Sequence, residues 1–80
     1  MGLAKSEAEW ADRARAFLKA EIKKADVDYD ELVKRLKKHG FKAETRASIT
    51  NKLARGTFTA TFFLATLAAL ECEGVRLEDV

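Results

Sequence analysis

The stretch that decides the fold is DYDELVKRLKKHGFKAETRASITNKLARG, residues 28–56. It begins with Asp28, whose carboxylate can cap a helix N-terminus. Leu32 and Leu36 then lie about one turn apart and predict an apolar inner face. Gly40 follows and is a natural stop, because glycine enters the left-handed backbone region at little cost. A helix of about ten residues is therefore predicted between Asp28 and Gly40.

A second, shorter helix is predicted in the same stretch. Thr45 is its expected N-cap and Gly56 its expected end. Ile49 and Leu53 lie one turn apart and are expected to face inward. The outer face then consists of small or hydrogen-bonding side chains, which are Arg46, Ala47, Ser48, Thr50 and Asn51.

A long helix is predicted before this stretch, over residues 6–25. Ser6 is a good N-cap, and Glu9, three residues later, completes a capping box. Apolar side chains follow at helical spacing and form one stripe, which consists of Trp10, Phe17, Leu18 and Ile22.

A fourth helix is predicted over residues 59–71, with Thr57 or Thr59 as its N-cap. Large apolar side chains and alanines leave it almost no polar face, and such a helix is buried on more than one side. In a protein of this size, part of that surface is expected to meet a second subunit. The tail, residues 74–80, fits either a short strand or a last helical turn after Arg76. The candidate dimer contacts on these segments are Phe62, Phe63, Leu67, Leu70, Val75 and Leu77.

The composition agrees with an all-helical protein. The chain has 80 residues, so one domain spanning residues 1–80 is expected. There is no proline, and the strong helix formers alanine, leucine, lysine, arginine and glutamate dominate. Because 48% of the residues are hydrophobic and 35% charged, the chain is expected to fold rather than stay disordered. The expected fold is all-α, a compact four- to five-helix bundle with a helix-turn-helix core.

The same sequence argues against several classes of protein. The lone Cys72 cannot form an internal disulfide, and it lacks the further cysteine and histidine ligands that a zinc site needs. A cytoplasmic location is therefore expected. The apolar runs are too short to span a membrane, and the N-terminus has no signal-peptide pattern. We find no phosphate loop, no metal-ligand spacing and no activated nucleophile. The chain is therefore expected not to be an enzyme and to use no metal, cofactor or small-molecule substrate.

Positive charge is concentrated in the middle of the chain. The net charge is only +2, yet residues 33–56 carry eight basic residues against Glu44 alone, a net charge of +7. Residues 1–32 and 57–80 are both acidic. Such an asymmetry suggests one face suited to a polyanion, although a lysine-rich helix can also be a plain solvated surface.

Residues 28–56 combine the features that DNA recognition needs. Two helices with a glycine-containing joint form a helix-turn-helix arrangement, whose second helix, here residues 45–56, enters the major groove. Its outer face must carry side chains that hydrogen-bond base edges, and basic side chains beside it must neutralise phosphates. The candidate base contacts are Arg46, Ser48, Thr50 and Asn51. The candidate phosphate contacts are Lys34, Arg35, Lys38, Lys42, Lys52 and Arg55.

Residues from about 18 onward resemble a known family. DYDELVKRL, TRASITNKLARG and FLATLAAL followed by GVRLEDV resemble the second helix, the recognition helix and the later helix and tail of Cro/lambda-repressor-type domains. This resemblance implies a lambda-repressor-like bundle. More closely, the whole chain resembles an uncharacterised bacterial domain family of unknown function. The positions that carry this second resemblance include Trp10, Phe17, Leu18, Tyr29, Leu32, the run NKLARG and Phe62.

The chain also departs from the repressor pattern. The joint between Leu36 and Thr45 is longer than the tight turn of that family. Leu53 stands where the family often has a glutamate, and Tyr29 and Arg46 lie at or near positions where it often has glutamines.

Two functions from different classes remain open. The first is sequence-specific or semi-specific binding of double-stranded DNA by a homodimer that regulates transcription. The alternative is a protein-interaction module of a bacterial regulatory or toxin-neutralising complex, built on the same fold. The lengthened joint keeps the alternative open, because it could tilt residues 45–56 away from the groove.

Overall fold

Four α-helices make up most of residues 3–80, the part of the chain that this computed structural model describes. They are α1 (Glu7–Lys24), α2 (Tyr29–Lys38), α3 (Arg46–Arg55) and α4 (Ala60–Ala69). A short 3₁₀ turn, Leu77–Asp79, follows them, and the described residues contain no strand. The predicted all-α class is confirmed. Residues 1 and 2 of the predicted domain lie outside the described residues.

The same device starts all four α-helices. A hydroxyl or carboxylate oxygen at the N-cap accepts a hydrogen bond from the backbone N–H three residues further on, which satisfies one of the free donors of the first turn. The N-caps are Ser6, Asp28, Thr45 and Thr59. The predicted N-cap residues are confirmed, and Thr59 rather than Thr57 starts α4. The predicted capping box at Ser6 is corrected, because the Glu9 carboxylate accepts a hydrogen bond of 3.1 Å from the Lys5 N–H and not from the Ser6 N–H.

The C-terminal part differs from the expectation in length. Helix α4 ends at Ala69, although the sequence pattern continues to residue 71, and Glu71 has a φ of 60° that breaks the helix. Of the two conformations left open for the tail, the structure adopts the helical turn, Leu77–Asp79.

The core lies where the four helices meet. Helix α1 packs against α3 and α4, and α2 packs against the same two helices. The predicted inner faces of α1, α2 and α3 are confirmed, because their main apolar residues are buried. These buried residues are Leu18, Ile22, Leu32, Leu36, Ile49 and Leu53. From α4, Phe62 enters the centre, with the Phe41 and Phe58 ring centroids 6.3 and 5.5 Å away.

Trp10 is an exception to the predicted apolar stripe. Its side chain is 37% exposed and lines an open groove of about 870 Å³ between the start of α1 and the joint between α3 and α4. The expectation that Trp10 belongs to the core is corrected, because its side chain lies in this solvent-open groove.

A buried carboxylate ties the joint between α2 and α3 to the core. Glu44 is only 6% exposed, and its carboxylate accepts hydrogen bonds from Lys52 Nζ at 2.8 and 3.0 Å. Ser48 Oγ donates a further hydrogen bond to it. The same Lys52 ammonium lies 4.4 Å from the centroid of the Phe62 ring, within the range of a cation–π interaction. We call these four residues, Glu44, Ser48, Lys52 and Phe62, the Glu44 anchor.

A close backbone contact holds the other end of α3. Gly56 caps this helix with a φ of 70°, and a Cβ atom placed on it would lie 2.6 Å from the carbonyl oxygen of Ala11 in α1. Only a residue without a side chain fits, so α3 and α1 meet here at the shortest possible separation.

Gly56→Ala is expected to lower the free energy of unfolding by about 2–4 kcal/mol, since it adds left-handed strain and a clash with α1. Gly40→Ala is the matched control: Gly40 also has a positive φ, but nothing lies within 4 Å of its added Cβ. This variant should lower the free energy of unfolding by about 1–2 kcal/mol, because only the strain of a left-handed backbone is added. Urea unfolding followed by circular dichroism compares the two, and equal losses would contradict the close contact.

The Glu44 anchor is expected to respond unequally to removal of its two charges. Lys52→Met leaves a buried carboxylate without its cation and should cost about 3 kcal/mol. Glu44→Gln should cost only about 1 kcal/mol, because the Lys52 side chain is 33% exposed and can turn to water. Urea unfolding of the two variants tests this order. The reverse order would show that the carboxylate is not the buried member of the pair.

Candidate nucleic-acid interface

The outer face of α3 is polar, with an arginine at each end of the helix and small side chains between them. Arg46, Thr50 and Asn51 are exposed on this face, and the exposed Ala47 and Ala54 lie between them. Three of the four predicted base-contact residues are therefore brought together on one helix face. A face of this kind presents hydrogen-bonding groups without bulky side chains that would keep a ligand at a distance.

The three polar side chains differ in how free they are. Arg46 Nη1 donates a hydrogen bond of 3.0 Å to Asp30 Oδ2 in the first turn of α2. Thr50 Oγ1 donates to the Arg46 carbonyl at 2.9 Å and keeps its lone pairs as acceptors. The Asn51 amide makes no side-chain hydrogen bond within residues 3–80, so all its donors and acceptors are available to a ligand.

Ser48, the fourth predicted base contact, does not belong to this face. Its Oγ accepts a hydrogen bond of 2.9 Å from the Thr45 N–H and donates to Glu44 and to the Thr45 carbonyl. Together with the Thr45 hydroxyl, it forms a capping box at the start of α3. The expectation for Ser48 is corrected, because its hydroxyl is used by the helix terminus and by the Glu44 anchor.

The predicted phosphate contacts divide into two groups. Four of them are exposed and form no ion pair with any residue in the described part of the chain. We call these the free cations, and they are Lys34, Lys38, Lys42 and Arg55. Lys37 is also exposed and unpaired within residues 3–80, and the sequence analysis did not select it although it lies in the same lysine run.

The other two predicted phosphate contacts serve the fold, which corrects the expectation for them. Arg35 pairs with Glu31 at 3.0 Å and donates a hydrogen bond of 3.0 Å from Nη1 to the Ala69 carbonyl at the end of α4. Lys52 is the cation of the Glu44 anchor. Both side chains are about two-thirds buried, and a phosphate could reach them only at the expense of these contacts.

Helix α2 carries two of the free cations on the side of Asp30. Asp30, Lys34 and Lys38 follow one another at intervals of four residues and therefore share one face of α2. Asp30, at the start of this face, contacts Arg46 in the first turn of α3. One end of the basic face of α2 thus meets the polar face of α3.

The dimer candidates on α4 are mostly occupied within the chain. Phe62, Leu67 and Leu70 are 1, 7 and 8% exposed and belong to this chain's own core, which corrects the expectation that they meet a second subunit. Phe63 and Val75 are half-buried, and Leu77 is 63% exposed.

The sequence analysis missed the exposed apolar residue of α4. Leu64 is 64% exposed, with the exposed Ala60 and Ala68 one turn before and after it. Its position on the helix could have revealed it, because Leu64 lies opposite the side of α4 that carries Phe62. We call Ala60, Thr61, Leu64 and Ala68 the α4 outer face.

Neither a metal site nor a membrane-spanning helix is found among residues 3–80. No group of three or more histidine, cysteine, aspartate or glutamate side chains among residues 3–80 could hold a metal ion. None of the helices described above combines the length and the apolar character that are needed to cross a bilayer.

The comparison with known proteins identifies one family. Residues 10–75 match the model of a family described as a domain of unknown function, DUF6471, which fits the expected resemblance to an uncharacterised family. No curated protein and no solved structure matches the chain. The family match includes most of α1, all of α2 to α4, and the Glu44 anchor. Since it covers far more than half of the sequence, this chain belongs to the DUF6471 family.

Proposed function

We propose that this domain binds double-stranded DNA, with α3 in the major groove and the free cations on the flanking phosphates. The observation that carries the proposal is that the fold uses some basic side chains of residues 33–56 and leaves others without a partner in the described part of the chain. The fold uses Arg35 and Lys52, whereas the free cations stay in solvent on the same segment of the chain as the polar face of α3. Free positive charge together with free hydrogen-bonding groups is what binding to phosphates and base edges needs.

The dimensions of α3 suit this role. Ten residues make a helix of about 15 Å, and the major groove is roughly 12 Å wide. Asn51 can form two hydrogen bonds with adenine, and Arg46 can form two with guanine. Thr50 adds a hydroxyl acceptor and a methyl group suited to contact with thymine. These three residues support at least partial sequence preference, as in the repressor-type domains that the sequence resembles.

Binding is expected to fall steeply with salt, because each neutralised phosphate releases counterions. Lys38→Ala should weaken binding to every duplex alike and reduce the log–log salt slope by about one. Asn51→Ala should instead weaken binding only to a preferred sequence, by about 1–3 kcal/mol. Fluorescence anisotropy of labelled duplexes at several salt concentrations separates the two effects.

Lys19→Ala is the matched control for Lys38→Ala, because Lys19 is an exposed lysine on α1 outside the basic segment. It should change neither the affinity nor the salt slope. If random duplexes do not bind even at low salt, the DNA-binding proposal is wrong.

We further propose that the domain pairs with a second copy of itself through the α4 outer face. Helix α4 has no charged residue, and its central exposed Leu64 is flanked by Ala60 and Ala68. Two such faces related by a two-fold axis are complementary, because each leucine can sit over the alanines of the other copy. Leu77 can extend this contact from the tail. A dimer would present two copies of α3 to successive turns of a near-palindromic site.

Leu64→Lys is expected to convert the dimer to a monomer, since it places a charge in the centre of the apolar contact. Leu3→Lys is the control, because Leu3 is also exposed, at 55%, but lies outside α4. Sedimentation velocity over a range of protein concentrations gives the oligomeric state of each. A monomeric parent protein would overturn the dimer and leave the α4 outer face uncovered, as the interaction module requires.

A further inference from the structure

Arg46 is a residue of α3 that can recognise guanine, and its guanidinium is engaged by Asp30. Arg46 opens α3, and its Nη1 lies 3.0 Å from Asp30 Oδ2 in the first turn of α2. Both side chains are about two-thirds exposed, at 64 and 66%. The pair therefore crosses from α2 to α3 on the surface that would face DNA.

This pair contributes little to the stability of the fold. Exposed ion pairs are worth about 0–1 kcal/mol, because water and salt screen the charges and both side chains lose freedom. Nothing in the local structure requires it, since Asp28 caps α2 and Thr45 caps α3. Arg46 can consequently exchange the carboxylate for another acceptor at low cost.

Asp30 differs from its acidic neighbours in the partner that it contacts. Asp28 caps α2, Glu31 pairs with Arg35, and Glu44 is buried in the Glu44 anchor, so all three serve the fold. Asp30 instead lies on the face of α2 that carries Lys34 and Lys38, in contact with a candidate base-reading side chain.

We propose, on the basis of the proposed DNA binding, that Asp30 is a positioning residue that holds the Arg46 guanidinium and competes with DNA for it, which lowers the affinity of the domain for duplexes. At a site with a suitably placed guanine, two hydrogen bonds from Arg46 to the O6 and N7 atoms replace the ion pair. At any other site, Arg46 can exchange the ion pair only for a phosphate contact. In both cases the Asp30 carboxylate loses its partner and is repelled by the nearby phosphates. Asp30 therefore weakens binding to any duplex for which Arg46 must leave it.

The test compares charge removal at Asp30 with charge removal elsewhere. Asp30→Asn is expected to raise affinity for a labelled random-sequence duplex about two- to fivefold at low salt, the range that an exposed ion pair can supply. Glu78→Gln is the matched control, because Glu78 is 67% exposed and pairs with Arg76 at 3.3 Å in the tail. It removes the same charge and should change the affinity less than Asp30→Asn does.

A double variant shows whether Asp30 acts through Arg46. In an Arg46→Ala background, Asp30→Asn should give no more gain than Glu78→Gln. Circular dichroism melting of each variant checks that the fold is retained.

The outcomes separate this proposal from the one on which it rests. If the parent protein binds the random duplex and Asp30→Asn behaves like Glu78→Gln, the role of Asp30 is overturned and DNA binding stands. A gain that persists without Arg46 also overturns it, because Asp30 then acts only as a local charge. If neither the parent nor any variant binds at low salt, both proposals fail.

Discussion

The hydrogen-bonded pair of Glu44 and Lys52, seated against the Phe62 ring, is the interaction on which the arrangement of α3 depends. It joins three parts of the molecule: the joint after α2, the second half of α3 and the centre of the core. A long joint would otherwise leave α3 free to pivot. Because the carboxylate is buried and fully engaged, the joint is fixed to the helix that follows it, and the extra residues do not loosen the pair of helices.

Some cations of the basic segment, residues 33–56, stabilise the fold, and the others lie in solvent. Arg35 joins α2 to the end of α4, and Lys52 completes the Glu44 anchor. Each of these cations has an acidic partner within reach, and each is largely removed from water. The remaining positive charge is unbalanced, which lowers the stability of the folded state slightly through self-repulsion but creates a field that attracts anions from a distance. A high local charge is therefore a feature that the fold tolerates rather than one that it needs.

The local features of the fold could be predicted from the sequence, and the tertiary ones could not. Caps such as Asp28 and Thr45 are found correctly because their hydrogen bonds span only three residues. Ser48 is misassigned to the candidate site because a hydroxyl that faces outward by helical spacing can still turn back to the helix terminus. The role of Lys52 depends on Glu44, eight residues away, and that of Asp30 on Arg46, sixteen residues away. Charge patterns carry no information about such pairings, so they predict a basic surface as a whole but not which of its side chains are free.

The tight approach of Gly56 to Ala11 has a consequence for how α3 could meet a ligand. This helix is held near both ends, by the Glu44 anchor on one side and by close backbone contact with α1 on the other, and both contacts oppose a change in its inclination. A helix held in this way resists adjustment to grooves of different width. On a duplex, the cost of any mismatch in shape would fall on the nucleic acid, and base steps that bend or open easily would be preferred even where no side chain touches them.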